Sequence, residues 1–156
     1  MTNNDLLRRI RYALNLNCET IAELCTLGGH DIRPIEVLNL LKKEDETGFK
    51  VSPDTVMGAF LDGLIISRRG AHDPKPGPAN TTDKSLNNNF ILRKLRIALE
   101  LNDDAMLAIL GKAGVPISKS ELSAMFRAAA HRNYKSCGDQ LLRNFIRGLT
   151  LGGGNM

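Results

Sequence analysis

Asn3–Leu14 reads "NNDLLRRIRYAL" and Asn88–Leu99 reads "NNFILRKLRIAL". The first stretch places Leu6, Ile10, Ala13 and Leu14 on one face of a helix, with Arg8 and Arg11 on the other side. The second repeats the pattern 85 positions later and keeps the arginines as Arg93 and Arg96. The same offset aligns Asn3–Leu64 with Asn88–Leu149 without a gap, and about a quarter of the pairs are identical. Asn4/Asn89, Asn17/Asn102, Gly29/Gly114, Ile32/Ile117 and Glu36/Glu121 match, as do Lys50/Lys135, Asp54/Asp139, Phe60/Phe145 and Gly63/Gly148. A gapless match of this length is the signature of internal duplication.

Each copy reads as four short helices. The first is expected to start at Asn4 or Asn89 as N-cap. The second starts at Asn17 or Asn102 and ends near Gly29 or Gly114, where a left-handed cap suits glycine. The third opens with Pro34 in copy one and with the capping box "SKSE", Ser118–Glu121, in copy two. The fourth follows Asp54 or Asp139. Its apolar face is Val56, Phe60, Leu61 and Leu64, matched by Leu141, Phe145, Ile146 and Leu149. A four-helix unit of this size buries too little surface to be secure alone. The expected fold is therefore all-α: a tandem duplication of a four-helix unit, about eight helices, packed with pseudo-twofold symmetry. Gly63 and Gly148 border the apolar face of the last helix and read as sites of close helix approach.

The expected organisation is a first repeat at 1–66, a flexible linker at 67–86, a second repeat at 87–150 and a disordered tail at 151–156. The linker reading rests on three prolines, two glycines and no apolar period. Hydrophobic residues make up 42% of the 156 and charged residues 24%, an ordinary globular balance. Only 4% are aromatic, and Leu, Ile, Ala and Met favour helix over sheet. No apolar run is long enough for a bilayer, so no membrane association is expected. The start lacks the apolar core of a signal peptide, and three cysteines without a CxxC suit a reducing cytoplasm.

The net charge of +4 is uneven. Residues 1–66 carry 7 Lys/Arg against 10 Asp/Glu, whereas residues 87–156 carry 10 against 5. This polarity suits either an anionic partner for the second repeat or complementary halves, within one chain or across a homodimer.

The residues singled out are Arg8, Arg11, Arg93 and Arg96 with the repeated acids Asp54 and Asp139. Two equivalent arginine stripes could meet phosphates. The favoured reading is structural: arginine–carboxylate forks to Asp54, Asp139, Glu36 or Glu121 that tie the first helix to the fourth within each copy. Asp54 and Asp139 also fall in a first helical turn, where an acid complements the helix dipole. "HRNYKSCGD", His131–Asp139, gathers His, Tyr, Cys and Asp, but copy one places Ser52 where Cys137 stands, so Cys137 reads as a small capping residue. Cys25 reads as core. "KKEDE", Lys42–Glu46, reads as a solvated helix end, with an acidic contact surface as its functional alternative. "MLAILGKAGVPISKSELSAMFR", Met106–Arg127, has the order of a helix-turn-helix, with a turn longer than usual and few base-reading side chains.

Phosphate-binding loops, dinucleotide fingerprints and the common hydrolase motifs are missing. No catalytic set, cofactor or metal site is expected. The function expected is a non-enzymatic binding or regulatory module with a nucleic-acid partner slightly favoured; a protein-interaction or self-association module is the alternative, and a thiol- or carboxylate-dependent enzyme built on Cys137 or Asp139 the lesser one. The combination "NNDLLRRIRYAL", "KKEDETGFK", "FLDGLI", "NNNFILRKLRIAL" and "CGDQLLRNFIRGL" resembles the YehS-like family of small bacterial proteins. That resemblance implies a duplicated helical fold and a bacterial cytoplasmic setting. It brings no established activity and no catalytic residues.

Overall fold

The computed structural model describes residues 1–69, 86–128 and 130–152, which form eight helices and no strand. Copy one contributes α1 (Asn3–Leu14), α2 (Cys18–Leu27), α3 (Pro34–Leu41) and α4 (Asp54–Arg69). Copy two contributes α5 (Asn88–Leu99), α6 (Asp103–Lys112), α7 (Lys119–Met125) and α8 (Asp139–Leu151). α4 runs on through Arg69, so the first residues assigned to the linker are helical. Leu151, assigned to a disordered tail, is the last residue of α8, and Gly152 is its C-cap; residues 70–85 and 153–156 lie outside the described residues.

Local chemistry explains most boundaries. Asn17 and Asn102 cap α2 and α6 by accepting from the backbone N–H of Thr20 and Ala105. Gly29 and Gly114 follow those helices at φ of 103° and 82°, a region open to glycine. Pro34 opens α3, and Ser118 with Glu121 forms the expected capping box on α7. The first helices differ from expectation. Thr2 and Asn87, not Asn4 and Asn89, cap α1 and α5. The double asparagines sit inside the first turn, where their side chains are used for tertiary bonds.

The repeats do not fold as separate bundles placed side by side. α1 packs mainly on α8, and α5 packs mainly on α4, which also packs heavily on α2 of its own copy. The first helix of each copy thus lies along the last helix of the other, and it touches the last helix of its own copy only slightly. This reciprocal exchange is the pseudo-twofold relation, and it merges both apolar faces into one core. Phe60 and its counterpart Phe145 are both fully buried in it, each worth roughly 1.5–3 kcal/mol of transfer free energy.

Two glycines set the spacing inside each copy. A Cβ on Gly63 would collide with the backbone carbonyl of Leu24 on α2. A Cβ on Gly148 would collide with that of Ile109 on α6, the equivalent residue. Only a residue without a side chain lets α4 and α8 approach that closely.

The symmetry is incomplete. Every residue from Val56 to Ile65 in α4 is buried, so this helix is covered on all sides. In α8 the buried set is Leu142, Phe145, Ile146, Gly148 and Leu149, and Arg147 points to solvent. α4 is the central helix of the molecule, and α8 is a surface helix.

Candidate functional site

The repeated polar residues converge at the head of the first helix in each copy. Asn4 is 3% exposed. Its amide donates to the carbonyls of Leu40 (2.9 Å) and Lys50 (2.7 Å), and its oxygen accepts from the backbone N–H of Ser52 (2.9 Å). Asn89 makes the same three bonds to Met125, Lys135 and Cys137. One residue earlier, Asn3 donates to the Ser52 carbonyl and to Asp54 Oδ1 at 2.8 Å, and Asn88 donates to the Cys137 carbonyl and to Asp139 Oδ1 at 2.7 Å. The pair forms a lock that holds the loop between the third and fourth helices against the first.

This lock replaces the expected arginine–aspartate clasp. Asp54 and Asp139 take asparagine amides, not guanidiniums. Arg8 donates to the Lys42 carbonyl at 2.9 Å and lies 3.6 Å from Asp5 of its own helix. Arg93 donates to the Phe126 carbonyl at 2.8 Å. Both close the end of the third helix of their own copy, where carbonyls lack intrahelical partners. Arg8 and Asp54 do line one polar cleft of about 710 Å³ at the head of α1, along with Asp45 and Phe49. Glu36 and Glu121 are caps: each accepts from a backbone N–H, of Arg33 and Ser118 respectively. Those bonds come first among the causes that lower both carboxyls below their ordinary range. The Asn88 amide, and then the Met1 ammonium, do the same for Asp139.

Arg11 and Arg96 have diverged. Arg96 donates to the Leu101 carbonyl and to Asp103 at 2.8 Å, and its guanidinium lies 4.8 Å from the Phe126 ring centroid. In copy one Cys18 stands where Asp103 stands, and Leu41 where Phe126 stands. Arg11 therefore lacks both partners and is exposed.

The seams between the copies hold the largest departure from symmetry. On the α4–α5 seam, Lys94 (6% exposed) donates to Asp62 (7% exposed) at 2.5 Å, and its ammonium sits 4.9 Å from the Phe90 ring centroid. The offset places Arg9 at the position of Lys94, Arg147 at that of Asp62 and Asp5 at that of Phe90. On the α1–α8 seam both paired positions are therefore cationic. Arg9 turns to Asp5 on its own helix at 3.0 Å. Arg9, Tyr12, Ile146, Arg147, Thr150 and Leu151 line a groove there of about 290 Å³. Apart from Ile146, which belongs to the apolar face of the fourth helix, no motif in the sequence marks these residues. Comparing Arg9/Lys94 with Asp62/Arg147 across the repeat would have exposed the charge reversal.

Two of the three thiols, Cys25 and Cys137, are buried. Burial pushes Cys25 up to about 11; burial, and then the charge of Asp139, pushes Cys137 up to about 11. Cys137 is a buried residue and not the expected cap, because Gly138 occupies the N-cap of α8. Among the described residues no three His, Cys, Asp or Glu gather as metal ligands would. The helix-turn-helix comparison weakens as well: residues 113–118 separate α6 from α7, and α7 has only 7 residues, with Leu122, Ala124 and Met125 buried. No described helix is long and apolar enough to cross a membrane.

The family model described as "Protein of unknown function (DUF1456)" matches residues 3–70 and again residues 88–152. The chain is 42% identical over 149 residues to the uncharacterized protein YehS of Escherichia coli (strain K12), an alignment covering 96% of this chain and 94% of that relative. No solved structure matches it significantly. Two family matches coincide with the two helical repeats and their locks, and the chain belongs to this YehS-like family of unknown function, with its domain present twice.

Proposed function

We propose that the protein is a non-enzymatic binding module whose partner is a nucleic acid, engaged through the basic second repeat. The observation that carries this reading is how the charges of that repeat are used. Its acids are mostly committed: Asp103 to Arg96, Asp104 to Lys119, Glu121 to a cap and Lys135, and Asp139 to Asn88. Among the described residues, Arg93, Arg127, Arg132, Arg143 and Arg147 pair with no carboxylate. The excess positive charge is thus turned outward, as phosphate contact requires. The buried thiols and the structural use of every repeated acid support a role without catalysis.

Fluorescence anisotropy with labelled mixed-sequence RNA and DNA tests the proposal. Affinity should fall linearly with salt on logarithmic axes between about 50 and 200 mM. Arg93→Gln with Arg143→Gln should reduce that slope by roughly 1–2 while the helix content holds. Binding that ignores salt, or none at the lowest salt, overturns it.

A second reading, a protein-interaction or self-association module, draws on copy one. Leu27, Ile35 and Leu38 are exposed on α2 and α3, beside a groove lined by Glu19, Glu23 and Ile32. A monomer by light scattering that co-purifies with nucleic acid alone would remove this alternative. The charged run Lys43–Glu46 is exposed beyond α3, with Lys43 N–H donating to Glu46 and the Lys42 ammonium to the Thr47 carbonyl.

A further inference from the structure

We propose that the α1–α8 seam is the point where single-stranded nucleic acid binds: a backbone phosphate sits between Arg9 and Arg147, and a base stacks on Tyr12. The inference rests on the nucleic-acid reading above and gives it a site at the edge of the basic repeat, where Arg147 of the second copy meets Arg9 and Tyr12 of the first. Its ground is the comparison of two places that the duplication makes equivalent. On the α4–α5 seam the position is sealed by Lys94, Asp62, Leu61 and Ile65, all buried. On the α1–α8 seam the same positions hold Arg9, Arg147, Ile146 and Thr150, and they frame an open groove.

A seam between packed helices ordinarily gains from opposite charges or from apolar contact. Here two arginines line one groove, and like charges that share a groove repel. Asp5 satisfies only the Nε side of Arg9, which leaves the terminal nitrogens of its guanidinium for another acceptor. Arg147 is exposed and has no hydrogen bond or ion pair among the described residues. An anion in the groove would take both forks and remove the repulsion. Arginine is suited to this, since its planar fork matches phosphate oxygens.

Tyr12 turns an anion site into a nucleotide site. It is 72% exposed on the rim of the same groove, where Ile97 stands on the sealed seam. An exposed aromatic face beside a cationic groove is the arrangement on which single-stranded bases stack, because every base offers a π-face. A base within a duplex is already stacked, so the ring has no use for a double strand. The groove, at the small end of ligand-sized clefts, admits one nucleotide rather than a helix.

The test is anisotropy of labelled oligo(dT) and oligo(U) at low salt on the full chain, with thermal midpoints recorded for every variant. Arg147→Asp sets an acid opposite Arg9 as Asp62 lies opposite Lys94, so it should close the seam, hold or raise the midpoint, and weaken binding by about tenfold or more. Tyr12→Ala should also cost about tenfold, whereas Tyr12→Phe keeps the stacking face and the affinity. Arg132→Asp, an equal charge change outside the seam, should cost clearly less. Salt-dependent binding that is unchanged by Arg147→Asp and by Tyr12→Ala overturns the seam site and leaves the basic-surface reading standing. A wild-type chain that binds neither oligonucleotide overturns both. Poly-glutamate bound as tightly as the oligonucleotides, and indifferent to Tyr12→Ala, overturns the nucleic-acid assignment in favour of an acidic peptide.

Discussion

Replacing Asn4 by alanine should be far more damaging than the same change at Asn89, although the two residues make the same bonds. Asn4→Ala removes two donors and one acceptor from a site that is 3% exposed. It strands the carbonyls of Leu40 and Lys50 and the N–H of Ser52. Each buried group left unpaired costs about 1–3 kcal/mol, and the alanine leaves room for water to recover part of that. A net loss of about 3–5 kcal/mol follows, a large share of the 5–15 kcal/mol typical of a domain. Asn89 is half-buried, so water reaches its partners directly and the loss falls to about 1–2 kcal/mol. Urea unfolding and thermal melts, both followed by far-ultraviolet circular dichroism, measure the two losses. With a midpoint shift of about 2–4 °C per kcal/mol at this size, Asn4→Ala should lose about 10 °C and Asn89→Ala about 4 °C. Asn4→Asp keeps the acceptor for Ser52 but turns a carboxylate toward two carbonyl oxygens, so it should be no better than alanine at neutral pH. Equal losses for the two alanine variants, or an Asn4→Ala loss below about 1 kcal/mol, would refute the claim that burial sets the value of the lock.

Three further outcomes test other parts of the structure. Gly63→Ala should destabilise by about 1–3 kcal/mol despite the better helix propensity of alanine, because the new Cβ meets the Leu24 backbone; Gly111→Ala, whose Cβ meets nothing within 4 Å, should be neutral or gain up to about 1 kcal/mol in the same melts. Asp62→Ala strands the buried Lys94 ammonium and should cost about 3–5 kcal/mol, whereas Lys94→Met with Asp62→Leu should come close to wild type; a double variant as unstable as the single would count against desolvation as the cause. In native alkylation with iodoacetamide at about pH 8, a thiol near 11 is ionised to about one part in a thousand, so Cys25 and Cys137 should react far more slowly than the half-exposed Cys18 and accelerate only as pH rises toward 11; mass spectrometry of the labelled peptides reads this out.

The duplication creates two seams that begin equivalent and need not stay so. One has become part of the core, with a buried ion pair and a fully covered α4. The other has kept an open groove with two cations and an aromatic ring. One charge reversal, Asp62 to Arg147, facing a position that is cationic in both copies (Lys94 and Arg9), accompanies the difference. Both seams hold the repeats together, and only one of them is sealed.

The sequence by itself determined the local elements and the repeat. Helix number, the caps at Asn17, Asn102 and Ser118, the turns at Gly29 and Gly114, and the packing role of Gly63 and Gly148 follow from short-range chemistry, and short-range chemistry is written in neighbouring residues. Asn4 and Asn89 look like caps for the same reason and are not: an asparagine near a helix start satisfies the local rule whether its amide bonds the helix or a loop some 46 residues away. Which helices pair was decided only in three dimensions. Nothing local tells α1 to lie on α8 instead of α4, because both last helices carry the same apolar face. Hence the partners of Asp54 and Asp139, the burial of Lys94 with Asp62, and the meeting of Arg9 with Arg147 could not be read along the chain. They depend on which copy supplies the opposite side of each seam, and that is a property of the packed core.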